Sequence, residues 1–169
     1  MITKIDRKYL EINSLNEINL SEPKINCKIE IKNPPDFQIN KFFYKQIGSD
    51  HRWIDRLVWD DQKWVSYVNN PNVKTYVLKE NDDLVGYFEQ VTNTEKNDCE
   101  IAYFGILKEF YGKKYGAHLL SLAITKCFEK KTNKIWLHTC SLDHENALKN
   151  YLARGMKIFK SETINLDIN

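Results

Sequence analysis

Between Lys74 and Leu107 the chain reads as three strand-forming runs in succession, the first two each closed by a polar turn. Lys74 to Lys79 reads as a strand and Asn81-Asp82-Asp83 as the turn after it. Leu84 to Thr92 is a second strand, with Gly86 a bulge site, and Asn93 to Asp98 is its polar turn. Cys99 to Leu107 is nearly all apolar after Glu100, as expected of a strand at the centre of a sheet. Turns this tight allow only antiparallel neighbours, so the segment predicts a three-stranded meander.

The period then changes. Leu119, Leu120, Ala123, Ile124, Cys127 and Phe128 recur at helical spacing, with Lys126, Lys130 and Lys131 at the end that favours cations. Lys134 to Thr139 predicts a strand, and Asp143 the cap of a helix burying Ala147, Leu148, Tyr151 and Leu152. Gly155 is placed to end that helix, and Met156 to Phe159 is a last strand. A strand, helix, strand order from Cys99 onward implies a parallel pair with a right-handed crossover.

Before the meander, Tyr9 to Asn13 and Ile25 to Ile31 read as strands. Asp36 is a cap for a helix carrying Phe42, Phe43 and Ile47 and closed by Gly48. Asp60 or Asp61 starts another, burying Trp64, Val65 and Val68 and stopped by Asn69-Asn70-Pro71. The expected fold class is α/β (α+β): a mixed, mostly antiparallel sheet flanked by helices and extended by N-terminal strands. One domain over residues 1–169 is expected, with a strand extension and helix start in 1–45, helices in 46–73 and a core in 74–160.

Composition narrows the function classes. A 42% apolar fraction with four Trp, nine Tyr and eight Phe suits a packed core. A net charge of +2, with no aromatic–basic motif, argues against nucleic acid as a partner. No apolar run reaches membrane-spanning length, and MITKIDRKYLEI is too polar for a signal peptide. Cys27, Cys99, Cys127 and Cys140 are scattered with no CxxC, so reduced thiols in a cytoplasm are expected, with no membrane partner.

The stretch FYGKKYGAHLL carries the chemistry. A strand running into glycines and then a helix leaves amides pointing outward, and these with the helix dipole bind phosphate. Lys113 and Lys114 add charge. Neither GxxxxGK[ST] nor GxGxxG is present, so the usual nucleotide loops do not apply, and alone the pattern is equally an ordinary tight turn.

EIAYFGILKEFYGKKYGAHLL resembles the central motif of the GNAT superfamily of acetyl-CoA-dependent N-acetyltransferases. Tyr111 stands where that motif has Gln or Arg, Lys114 where it has its first Gly, and Gly116 at its second Gly. ALKNYLARGMKI is similar to the Ala-x-x-x-Tyr-x-x-x-Gly-Phe signature, with Met156 replacing the aromatic. GYFEQ, EIAYFG, LHTCSLDH, FFYKQIG and WIDRLVW resemble one bacterial branch of the superfamily.

The resemblance implies acetyl-CoA as cosubstrate, its pantetheine arm beside Phe104, Gly105 and Ile106. The diphosphate would rest on Tyr111, Gly112, Lys113, Lys114, Tyr115, Gly116 and Ala117. It implies acetyl transfer to a small-molecule or protein amine by direct attack in a ternary complex, and allows a homodimer. A non-catalytic acyl-CoA-binding regulatory module is the alternative.

Such a transfer needs a base for the ammonium, a donor for the oxyanion and a proton for the departing thiolate. Tyr151, at the tyrosine of the family signature, is the candidate proton donor; on the residues alone it is a core tyrosine. Glu100, Glu89 and His138 are the candidate bases, against a solvated strand end for Glu100 and a hydrogen-bonded core residue for His138. His144 stands where relatives carry asparagine, which suggests a structural or cofactor-contacting task. His51, Trp53, Arg56 and Tyr103 are candidates for the acceptor side. His138, Cys140, Asp143 and His144 are all metal-ligand types, but no CxxC or HExxH accompanies them and no metal is expected.

Overall fold

A seven-stranded sheet in the order β2-β3-β4-β5-β6-β1-β7 organises the chain in the computed structural model, which describes residues 1–167. The last two residues of the expected domain lie outside it. The strands are β1 (Ile2–Ile12), β2 (Cys27–Ile31), β3 (Val73–Glu80), β4 (Asp83–Asn93), β5 (Asp98–Ile106), β6 (Lys134–Cys140) and β7 (Lys157–Asp167). The helices are α1 (Phe37–Gly48), α2 (Asp61–Val68), α3 (Tyr115–Phe128) and α4 (Ala147–Ala153). Every strand pair is antiparallel except β5 with β6. The mixed α/β architecture expected from the sequence is the observed one.

Local chemistry explains the helix starts. The Asp36 carboxylate accepts from the Gln38 amide (3.0 Å), and Asp60 accepts from Lys63 (2.8 Å). Helix α1 buries Asn40, Phe43, Tyr44 and Ile47, one stripe at helical spacing. In α2, Trp64 and Val68 are buried while Val65 is exposed, so the expected stripe is narrower by one residue. Asp143 does not cap α4. It accepts instead from the Thr139 hydroxyl (2.5 Å) and the Cys140 amide (3.1 Å), pinning the turn after β6, and the helix begins four residues later with Leu152 exposed. Gly155 follows α4 at φ +103°, the left-handed terminator its position predicts.

Adjacent residues of β4 show how the sheet is sandwiched. Tyr87 stacks on Phe43 of α1 at 4.8 Å, whereas Phe88 stacks on Tyr76 in the cluster that includes Leu119, Leu120 and Ile124 of α3. Helices α1 and α3 therefore cover opposite faces.

Two features exceed the expected pattern. Strand β1 inserts between β6 and β7, and β7 runs to Asp167 rather than ending near Phe159. In β5, Glu89 pairs with Tyr103 and Gln90 with Ile101, so Ala102 is a bulge residue. The bulge shifts parity: Cys99 and Ile101 face α3, and so do Phe104 and Ile106, while Tyr103 and Gly105 turn to α1.

Candidate active site

Strands β5 and β6 pair only from Asp98–Lys134 to Glu100–Trp136. Beyond Glu100 they part, because β6 continues against β1 while β5 continues against β4. A cavity of about 980 Å³ occupies the split. Its walls include Tyr103, Phe104, Gly105 and Ile106 of β5, Leu137 and His138 of β6, and Tyr151 of α4.

The glycine-containing loop closes one end. Gly112 has φ +76° and Lys114 φ +64°, so a lysine takes the left-handed conformation where the motif has glycine. That conformation costs an L-residue about 1–2 kcal/mol. Lys114 is the residue preceding α3, and no side chain caps the helix's first amides. Tyr111, Gly112, Lys114, Tyr115, Gly116 and Ala117 all line the cavity, whereas Lys113 does not. Tyr115 also ties the loop to β3 through its hydroxyl, which donates to Glu80 (2.6 Å).

Gly116 supplies the test of fit for a diphosphate. A Cβ there would meet no protein atom closer than 3.7 Å, so the chain's own packing does not demand glycine. Gly116→Ala is expected to leave the apo protein as stable or up to about 1 kcal/mol more stable, by the ordinary helix preference for Ala. The same change is expected to weaken acetyl-CoA. Paired thermal melts with and without acetyl-CoA check both halves.

Across the mouth, three rings meet. The His144 ring lies 4.9 Å from Tyr111 and 6.0 Å from His51, and His51 Nε2 is 3.4 Å from the Tyr111 hydroxyl. His144 Nδ1 accepts from the Asn146 amide (3.1 Å), leaving Nε2 to carry the proton toward the cluster.

Tyr151 is buried against Phe104, ring centroids 6.2 Å apart. Its hydroxyl has no hydrogen-bond partner among the described residues, and burial, then Asp143, push it well above an ordinary phenol. His138 lies beside Tyr9, rings 5.7 Å apart. Desolvation and then the Arg7 cation push its imidazole below the ordinary value, so it is neutral near pH 7.

The two carboxylates are placed differently. Glu89 is fully buried and lies outside the cavity. It accepts from Arg56 Nη1 (2.8 and 3.1 Å), Asn40 Nδ2 (2.7 Å) and the Tyr67 hydroxyl (2.9 Å). Arg56 is buried too, with the rings of Tyr103 and Tyr67 4.2 and 4.3 Å away, and it also does not line the cavity. Glu89 and Arg56 are thus partners of each other, not groups facing a ligand. Glu100 lies just outside the lining, at the last β5–β6 pair, and burial pushes its carboxyl above the ordinary value.

Trp53, Tyr103 and His51 do line the cavity. Tyr103 donates to Asp55 (2.7 Å), which also receives the Tyr44 hydroxyl (2.9 Å). Asp55 and Arg7 are lining residues that the sequence reading did not single out. Asp55 lies within the WIDRLVW segment already matched, but nothing local marks Arg7, which reaches the site only through the insertion of β1. Among the described residues, no group of three or more His, Cys, Asp or Glu is arranged to hold a metal ion. No helix among them is long and apolar enough to cross a membrane.

Comparison with known proteins agrees with this geometry. Residues 37–156 match the profile of the Acetyltransferase (GNAT) family. No curated protein sequence matches the chain. A solved structure, a GCN5-related N-acetyltransferase from Sphaerobacter thermophilus, superposes with TM-score 0.75 at 13% identity, over 95% of this chain and 50% of that one. A functionally unknown conserved protein from Staphylococcus epidermidis gives TM-score 0.68 at 18% identity, over 99% of this chain and 63% of that one. This chain therefore spans between half and two thirds of those two. An aminoglycoside acetyltransferase from an uncultured soil metagenomic sample, solved with trehalose, gives 0.63 at 14% identity, over 76% and 87% of the two chains.

Proposed function

The chain belongs to the GNAT acetyltransferase family, and from that premise we propose that it moves an acetyl group from acetyl-CoA to a primary amine by direct attack. The observation that carries the reading is the parting of β5 from β6 after Glu100, with a cavity running from that split to the uncapped start of α3. The amides of Tyr115, Gly116 and Ala117 and the Lys114 ammonium hold a diphosphate there. Beyond the bulge, the backbone of Phe104, Gly105 and Ile106 has no β6 partner and receives the pantetheine arm as an added strand. Bound acetyl-CoA supplies the thioester.

The acceptor amine approaches from the face bearing His138, Trp53 and Tyr103. His138 takes the amine proton as the nitrogen–carbon bond forms, and the Tyr151 hydroxyl gives its proton to the departing sulfur. His138 is preferred to Glu89, which is consumed by Arg56, and to Glu100, which stands outside the lining. Cys140 lines the cavity, but burial, then Asp143, push its thiol up, the wrong direction for a nucleophile. That supports direct attack over an acetyl-cysteine route.

Acetyl-CoA at about a hundred times its dissociation constant is expected to add about 2.7 kcal/mol to stability. Thiol release should then require an added amine. No stabilisation by acetyl-CoA, or no release with any amine, would remove the proposal.

A further inference from the structure

Arg7 lines the cavity, and its side chain makes no hydrogen bond or ion pair of its own among the described residues. It sits on β1 opposite Cys140 of β6 and Glu162 of β7. Strand alternation puts it on the face of Tyr9, whose ring touches His138. Arg7 lines the cavity, is half-buried, and takes part in no ion pair among the described residues. Its Nε is buried with no hydrogen-bond partner. Glu162, directly across on β7, feels the Arg7 charge but makes its short contacts with the Tyr9 hydroxyl (2.7 Å) and Lys160 (3.3 Å). A buried guanidinium nitrogen left without an acceptor is costly, and a planar fork of donors suits a carboxylate.

Resting on the acetyl-transfer reading, we propose that the acceptor is a small amine bearing a carboxylate, an amino acid in the simplest case, with Arg7 anchoring that carboxylate. Arg7 and His138 stand two pairing steps apart on one face, about 7 Å along the strands, a span that suits an amine and a carboxylate of one small molecule. The lining also includes Ile5, Ile164 and Leu166, apolar surface that suits a single anionic group with an aliphatic frame better than a polyanion. An anchored carboxylate also offsets the Arg7 charge that depresses His138, so the correct acceptor strengthens its own base.

The test is thiol release from acetyl-CoA with the common L-amino acids, each paired with its carboxamide. The carboxamides have the more weakly basic amines and so offer more free base, which biases the comparison against the proposal. The expected result is an amino acid favoured about 10- to 100-fold in kcat/KM over its carboxamide, mainly through KM. Arg7→Gln should bring the pair to within about threefold of each other, and Arg7→Lys should keep part of the preference. Carboxamides or spermidine used as well as the acids, or a preference unchanged in Arg7→Gln, would overturn it. If no amine releases thiol while acetyl-CoA still stabilises the protein, transfer itself has failed. The anion site is then judged by melts of the coenzyme A complex with the same amino acids. Stabilisation in the wild type that is lost in Arg7→Gln supports the site, and none in either overturns it.

Discussion

Glu89→Ala is expected to destabilise the protein by about 3–5 kcal/mol, because it leaves the Arg56 guanidinium buried without its carboxylate. At this chain length each kcal/mol moves the midpoint by roughly 2–4 °C, so thermal unfolding should show a fall of about 6–20 °C. The carboxylate accepts from three side chains on α1, α2 and the segment between them, so its loss also strands the Tyr67 hydroxyl and leaves the Asn40 amide only its bond to Thr75. Replacing both members with apolar residues, Arg56→Met with Glu89→Leu, should recover part of the loss, since the expensive state is one buried charge and not none. A single variant as stable as the wild type would contradict this account. The pair also braces the active site at one remove. Arg56 lies against the Tyr103 ring, and Tyr103, bonded to Asp55, lines the cavity with it.

Tyr151→Phe is expected to lower kcat by about 100-fold or more while changing acetyl-CoA affinity by less than about threefold. The ring stays, and with it the contact to Phe104; only the hydroxyl is lost. Single-turnover thiol release with a saturating amine reads the first effect, and thermal shifts with acetyl-CoA read the second. His138→Gln should slow the same step, whereas Glu100→Gln should leave most of it. If Glu100→Gln proved the more damaging change, the base assignment would move to Glu100 through a bridging water.

Much of the fold was legible in the residues, and the reason is locality. The Asp36 cap and the Phe43, Tyr44, Ile47 stripe lie within one helix, so a period of 3.6 and one capping carboxylate were enough to place α1. The meander was equally local, since its turns join strands adjacent in sequence. The loop from Tyr111 to Ala117 and the position of Tyr151 could be read because they sit inside recognisable strings, and all of these residues but Lys113 line the cavity.

The roles of Glu89 and Arg56 could not be read in this way. Thirty-three residues separate them, and each alone looks like a site residue. Only the packing of the chain segment before α2 against β4 shows that they neutralise each other. Arg7 escaped for the same reason, because β1 reaches the cavity by inserting between β6 and β7.

The sequence by itself determined which segments are strands or helices, where the glycine-containing loop before α3 lies, and the family. Those properties follow from neighbours within a turn or two of chain. The tertiary structure alone decided which face each β5 side chain takes after Ala102, which carboxylate is spent inside the core, and that Arg7 lines the cavity. A one-residue bulge reverses every later side chain, and charge pairing depends on distance in space, which one-dimensional spacing does not carry.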